Sequence, residues 1–218
     1  MTDNTRKPRN PDRRRFLRNA GLVPAGLYLQ TNLPAAAAQE FAGQPDPVDS
    51  TMMGHVAPPL DTVRVGVIGA GRRGTTILRL LAGIDGIAIN AICDSYAPAI
   101  NKARVLMIGL GVSTADYYGG SDYAYREMLA RDDIDAVFVL TPWSWHTPMA
   151  LDVMNAAKHA FIEVPAALTL DEAWQLVETS EQTRMNCMML ENVCYGRQEL
   201  MALNMVRQGV LGELLHGE

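Results

Sequence analysis

Cysteine, histidine and, past the first eighteen positions, positive charge are all scarce in this sequence. The three cysteines (Cys93, Cys187 and Cys194) are odd in number and make no C-x-x-C pair. That argues against a disulfide framework, and since each lies in or beside an apolar run, buried thiols are expected. The four histidines (His55, His146, His159 and His216) are scattered, without the close spacing a metal needs, so no metal is predicted. Seven of the nineteen basic residues fall within the first eighteen positions. Without residues 1–38 the chain carries 12 basic against 22 acidic side chains, a formal charge of −10 instead of −5. So acidic a protein is a poor partner for a phosphate backbone, and nucleic acid is excluded. No apolar run is long enough for a stable membrane anchor; Ala20 to Leu29, the nearest to one, is short and broken by Gly and Pro.

The concentrated basic charge has a pattern. Arg13-Arg14-Arg15-Phe16-Leu17-Arg18, then the moderately apolar stretch, then Pro34-Ala35-Ala36-Ala37-Ala38 look like a twin-arginine export signal over 1–38, with a small-residue cleavage site after Ala38. Such export carries folded proteins, which would place the mature protein in the periplasm or outside the cell, with the twin-arginine machinery as a partner. Residues 39–61 hold four prolines and few large apolar groups and read as a linker. The 218 residues, 48% apolar, suffice for one full domain plus extensions.

The rest is organised around Val63-Arg64-Val65-Gly66-Val67-Ile68-Gly69-Ala70-Gly71-Arg72-Arg73-Gly74. A short apolar run suited to a buried parallel strand breaks into G-x-G-x-x-G and passes into the helically spaced Thr75 to Leu81. In a dinucleotide fold Gly69 makes the tight turn, Gly71 lets backbone approach the pyrophosphate, and Gly74 lets helix and strand pack closely. A second apolar run, Ile87 to Cys93, ends in Asp94, twenty residues after Gly74, where an acid binds the ribose hydroxyls and repels a 2′-phosphate. NAD is the predicted cofactor, in preference to NADP.

Further strands are predicted at Ile134–Leu140, Ala160–Glu163 and Cys187–Leu190, and helices near 98–108, 123–130, 148–158, 170–184 and 197–208; Asp116 to Gly120 reads as a loop. The alternation predicts an α/β fold, a doubly wound parallel sheet over 62–210. Residues 211–218 begin like another strand, so a following sheet domain is expected to be largely missing from this chain. Ligands of such sheets bind beyond the carboxyl ends of the strands. That rule gathers Asp94, Thr141 to His146, Glu163 and Glu191 to Tyr195 on one rim. Trp143 and Trp145 there suit a ring wall, with core packing as the competing role. His146 reads as functional or as a satisfied structural histidine. Tyr195 reads as a proton-transfer group or as a half-buried tyrosine at a helix start.

The glycine fingerprint, Asp94 and a Glu-x-Pro at the fifth strand resemble the glucose–fructose oxidoreductase and inositol dehydrogenase superfamily. Those dehydrogenases usually carry Glu-Lys-Pro, whereas this chain has Val164. Thr-Pro-Trp-x-Trp-His, Glu-Val-Pro-Ala-Ala and Met-Met-Leu-Glu-Asn-x-Cys-Tyr together are similar to glycoside hydrolase family 109, the NAD-dependent α-N-acetylgalactosaminidases, many with twin-arginine leaders. The resemblance implies a Rossmann NAD-binding domain followed by an α+β sheet domain. It implies cofactor contacts at Arg72, Arg73, Asp94, Trp143, Ser144, Trp145, His146, Glu163, Val164 and Asn192, beside Gly69, Gly71 and Gly74, and a catalytic Tyr195 near the sugar. The implied reaction is hydrolysis of a terminal α-N-acetylgalactosaminide: the sugar is oxidised at C3, loses the C2 proton, eliminates its C1 substituent, gains water and is reduced again. The alternatives are a net NAD-dependent sugar oxidoreductase, which Val164 disfavours, and a truncated non-catalytic NAD-binding remnant. A small glycoside is the expected substrate, and homo-oligomerisation stays open.

Overall fold

The structure, a computed structural model, describes residues 51–112 and 114–214. The leader over 1–38, most of the linker and the last four residues lie outside the described residues. Residues 51–62 form no helix or strand.

Among the described residues six strands and six helices alternate. They are β1 (Val63–Ile68), α1 (Arg72–Leu81), β2 (Ile87–Asp94), α2 (Ala97–Gly109), β3 (Asp116–Gly119) and α3 (Tyr125–Leu129), followed by β4 (Ala136–Val139), α4 (Trp143–Asn155), β5 (His159–Ile162), α5 (Leu170–Thr183), β6 (Cys187–Met189) and α6 (Arg197–Arg207). All the strands pair in parallel, in the order β3-β2-β1-β4-β5-β6. The order reverses beside β1, and that switch point leaves a crevice between β1 and β4 at their carboxyl ends.

Both faces of the sheet are covered, which is why its strands read as near-continuous apolar runs. Val65, Val67, Ile89 and Ile92 pack with Leu78 of α1 and Ala103 and Met107 of α2. On the other face Ile68, Ala91, Cys93, Val137 and Val139 meet Met128 of α3, Val153 and Met154 of α4 and Leu176 of α5. Strict alternation would put Ile89 and Ala91 on one face. They lie on opposite faces because the β1–β2 register slips between Val65 and Gly66, leaving Asn90 as an extra residue. The Asn90 side-chain amide then donates to the Asp133 carbonyl at 2.8 Å. Phe138 and Phe161, register partners on β4 and β5, stack with centroids 4.8 Å apart.

Three expectations change. Asp116 to Gly119 is a strand, with Tyr117 and Tyr118 packed toward opposite faces, although two glycines at its end make it read as a loop. Helix α4 starts at Trp143, five residues before Pro148, which sits inside the helix at the cost of one backbone hydrogen bond. Cys93 is buried and Cys187 partly so, but Cys194 is exposed. Burial pushes the Cys93 thiol up to about 12 and that of Cys187 to about 11.

The amino ends of the strands are held by ion pairs. Asp135 accepts from Arg64 through both carboxylate oxygens, at 2.9 and 2.5 Å. Arg131 donates to both oxygens of Asp133, each at 2.7 Å, and to Asp116 at 2.5 Å. The hydrogen bonds from Arg131 hold the Asp133 carboxyl down at about 2, and those from Arg64 hold Asp135 below its usual range. A depressed folded-state value means the stabilisation is fully present above the ordinary aspartate range and is lost as pH falls through the folded value. These pairs are partly exposed, so the effect is modest. The urea midpoint should therefore fall as pH drops from about 4 toward 2, and less so in Asp133→Asn.

Candidate functional site

The turn from β1 to α1 is shaped by where side chains will not fit. Gly69 has φ of +96°, and a Cβ there would sit 2.5 Å from the Leu140 carbonyl oxygen. A Cβ on Gly74 would collide with the Gly69 carbonyl. Gly71, by contrast, has an ordinary φ of −66° and nothing within 4 Å of an added Cβ. Nothing in the protein itself demands glycine at 71, so the free space before it suits a ligand approaching the backbone. Helix α1 has no side-chain cap and no acid in its first turn. Its leading N–H groups are thus available to an anion such as a pyrophosphate.

Asp94 closes the loop from the end of β2. One carboxylate oxygen accepts the Ala70 N–H at 2.7 Å and the other the Tyr96 N–H at 2.8 Å. The acid is fixed before any ribose arrives and keeps lone pairs free. Gly69, Gly71, Asp94, Thr141 and Trp145 all line one cleft of about 440 Å³ over the switch point. Sequence reasoning missed Tyr96, Ser121, Asp122 and Tyr125 on the same wall. The position of Tyr96, two residues beyond a strand end, was the one available clue. Tyr125 is buried and donates its hydroxyl to Asp152 at 2.7 Å. Burial, reinforced by Asp152, pushes that phenol up to about 12.

Three candidates far apart in sequence meet across the crevice. Arg73, in the first turn of α1, pairs with Glu163 through Nε and donates to Asn192 Oδ1 at 2.6 Å through Nη2. Glu163 is set at the rim by its N–H, which donates to the Val139 carbonyl at 3.0 Å; its second oxygen accepts the Val164 N–H, also at 3.0 Å. Arg72 is exposed beside Arg73.

The aromatic segment splits up. Trp143 is 63% exposed, which removes core packing as its role. Ser144 is exposed, while Trp145 is half-buried on the cleft wall, edge-on to Tyr123 at 5.6 Å. His146 is buried, with Nδ1 2.7 Å from the Pro165 carbonyl oxygen and Nε2 2.8 Å from that of Thr141. Both ring nitrogens thus face backbone carbonyls, to one of which a neutral ring donates, and His146 fastens the Glu163–Pro165 turn to the start of α4. Thr147 adds a bond to the Ala166 carbonyl at 3.1 Å. Tyr195 is 69% exposed, not half-buried, and does not line the cleft.

A parallel sheet in this order, with a glycine cradle and a fixed acid at its switch point, defines a dinucleotide-binding oxidoreductase fold. Residues 63–191 match the family described as "Oxidoreductase family, NAD-binding Rossmann fold", and the chain belongs to that family. Its cofactor is NAD. The chain is 50% identical over 207 residues to a glycosyl hydrolase family 109 protein of Shewanella pealeana, matching 95% of this chain and 45% of that one. It is 50% identical over 209 residues to glycosyl hydrolase family 109 protein 1 of Shewanella sp. strain MR-4, matching 96% of this chain and 45% of that protein. The chain therefore spans less than half the length of these relatives. Among solved structures, myo-inositol 2-dehydrogenase from Lactobacillus plantarum superposes with a TM-score of 0.59 at 26% identity, covering 70% of this chain and 43% of that one. Scyllo-inositol dehydrogenase from Lactobacillus casei, solved with bound NAD(H) and scyllo-inositol, shares the fold, with a TM-score of 0.61 at 23% identity over 70% of this chain and 43% of that one.

The glycines separate folding from binding. Gly71→Val should leave thermal stability nearly unchanged yet weaken NAD binding at least about tenfold, by filling the space before the loop. Gly74→Val should instead unfold the protein at lower temperature, because helix and loop must separate. Paired melting curves and NAD titrations check both.

Proposed function

We propose that the protein of which this chain is part is an NAD-dependent glycosidase that hydrolyses terminal α-N-acetylgalactosaminides. The reading rests on the half-identity to family 109 proteins along nearly the whole chain. Val164 supports it, since the Glu-Val-Pro turn offers no side-chain amine at the rim. The Gly69–Gly74 loop and the start of α1 would hold the pyrophosphate, Asp94 the ribose hydroxyls, and Trp143 with Trp145 an aromatic side of the crevice. When bound, NAD supplies a hydride acceptor at sugar C3 that returns the hydride later, so the net reaction is hydrolysis.

The chain's own chemical step falls to Tyr195. As the general base, it would take the C2 proton made acidic by the neighbouring C3 ketone, and the electron pair left at C2 would expel the C1 substituent. Glu163 and Asn192 hold Arg73 at the rim, and Tyr195 follows Asn192 by three residues in the sequence. No paired glycosidase carboxylates are required. Export by the twin-arginine route fits the scheme: each turnover regenerates the cofactor, so no NAD pool is needed outside the cytoplasm.

The test uses the longest product of the gene with an aryl α-N-acetylgalactosaminide in heavy water and no added NAD. Aglycone release with deuterium at C2 and no net NADH is expected. Tyr195→Phe should slow release by about 10²–10⁴-fold while NAD binding stays intact. NADH accumulating without release would make the protein a sugar dehydrogenase, and the absence of both would refute the glycosidase reading.

A further inference from the structure

At the amino ends of β4 and β5, the opposite edge of the sheet from the NAD crevice, a second cleft of about 350 Å³ opens. Its walls are mixed: Leu60, Ile134, Ala157 and Met185 line it together with Asp132 and Asp135. Lys158 and His159 bring polar groups into this lining.

Lys158 is 6% exposed. Its ammonium nitrogen has one long hydrogen bond, 3.4 Å to the Ala156 carbonyl, and no ion pair among the described residues. The nearby Asp135 is already spent, both of its oxygens being held by Arg64. An ammonium withdrawn from water with no carboxylate in hydrogen-bonding contact is poorly stabilised. Burial accordingly lowers the affinity of Lys158 for its proton, with Arg64 adding to the effect and Asp132, Asp135 and Asp133 opposing it. The neighbouring His159 accepts the Asn186 N–H on Nδ1 at 3.0 Å. Burial, helped by the charge of His55, disfavours its cationic form, so the neutral ring carries its proton on Nε2.

A buried amine and a proton-bearing imidazole lining one cleft that is partly apolar are the parts of a carbonyl-binding site. We infer that Lys158 is a nucleophilic amine that captures small aldehydes entering this cleft as imines. The Nζ lone pair attacks the carbonyl carbon to give a carbinolamine. The carbonyl oxygen then leaves as water with the two hydrogens of the amine, and the C=N bond forms; no oxidant or reductant is consumed. The charges around the cleft select a neutral ligand over an anion. Asp132 and Asp135 line it, and of the two only Asp135 is paired with an arginine among the described residues, so a carboxylate or phosphate would be repelled.

The sequence makes the test clean, because its three lysines (Lys7, Lys102 and Lys158) fall in separate peptides. Lys102 lies exposed on α2 and serves as the internal reference. The full chain is treated with propanal and cyanoborohydride at pH 7, and labelling is followed by peptide mapping. Lys158 should label at least about fivefold faster than Lys102, and the ratio should shrink as pH rises toward about 10.5 and the exposed amine also loses its proton. Lys102→Arg, an exposed change, should leave the Lys158 rate unaltered. A Lys158 rate at pH 7 no greater than that of Lys102 would overturn the proposal, as would labelling that needs urea.

Discussion

Helix α1 begins so close to the Gly69 carbonyl that a single methyl group at Gly74 would not fit between them. The rest of the crevice depends on that approach. It aims the leading N–H groups of α1 at the loop and puts the Ala70 N–H where Asp94 can take it. It also places Arg73 one residue before the contact, from where its guanidinium reaches Glu163 and Asn192 on the far side. One steric constraint thus joins the ends of β1, β2, β5 and β6. Side chains contribute little to the cradle itself, which is mostly backbone, and a phosphate-binding surface needs little more.

How far the sequence discloses this depends on the range of the interaction. The glycine spacing, the strand before it and Asp94 are local patterns, and the strand order that follows from alternating strands and helices matches them. The Arg73–Glu163 pair spans 90 positions and has no local signal. Strand β3 is hidden because four residues ending in glycine carry too little alternation to be told from a turn. The early start of α4 is hidden because Pro148 reads as a first-turn residue when it is in fact a mid-helix one. His146 illustrates a different limit: strand-end placement marks it as special, but only coordinates show both nitrogens turned to backbone carbonyls. Cys194 lies beside an apolar run yet is exposed, because adjacency to apolar residues does not make a position part of the core.

The two edges of the sheet are built on different chemistry. At the carboxyl edge an arginine, not a lysine, answers Glu163, and its guanidinium is tied at both ends. At the amino edge Arg64 and Arg131 neutralise Asp135 and Asp133. Lys158, one residue before β5, is left with a single backbone carbonyl. Among the described residues, Arg64, Arg73 and Arg131 are thus held in fixed pairs, while the buried amine of Lys158 is in none. The same strand, β5, connects the two, beginning beside Lys158 and ending at Glu163.

The central claim is that this crevice, with Asp94 bound to the glycine loop, is an NAD site that discriminates against a 2′-phosphate. Parallel equilibrium titrations of the purified chain with NAD and NADP test it most directly. The account predicts one NAD per chain and an affinity for NADP at least about tenfold weaker, from the unpaired meeting of carboxylate and phosphate. Equal or tighter binding of NADP, or no binding of either nucleotide by the folded chain, would contradict it.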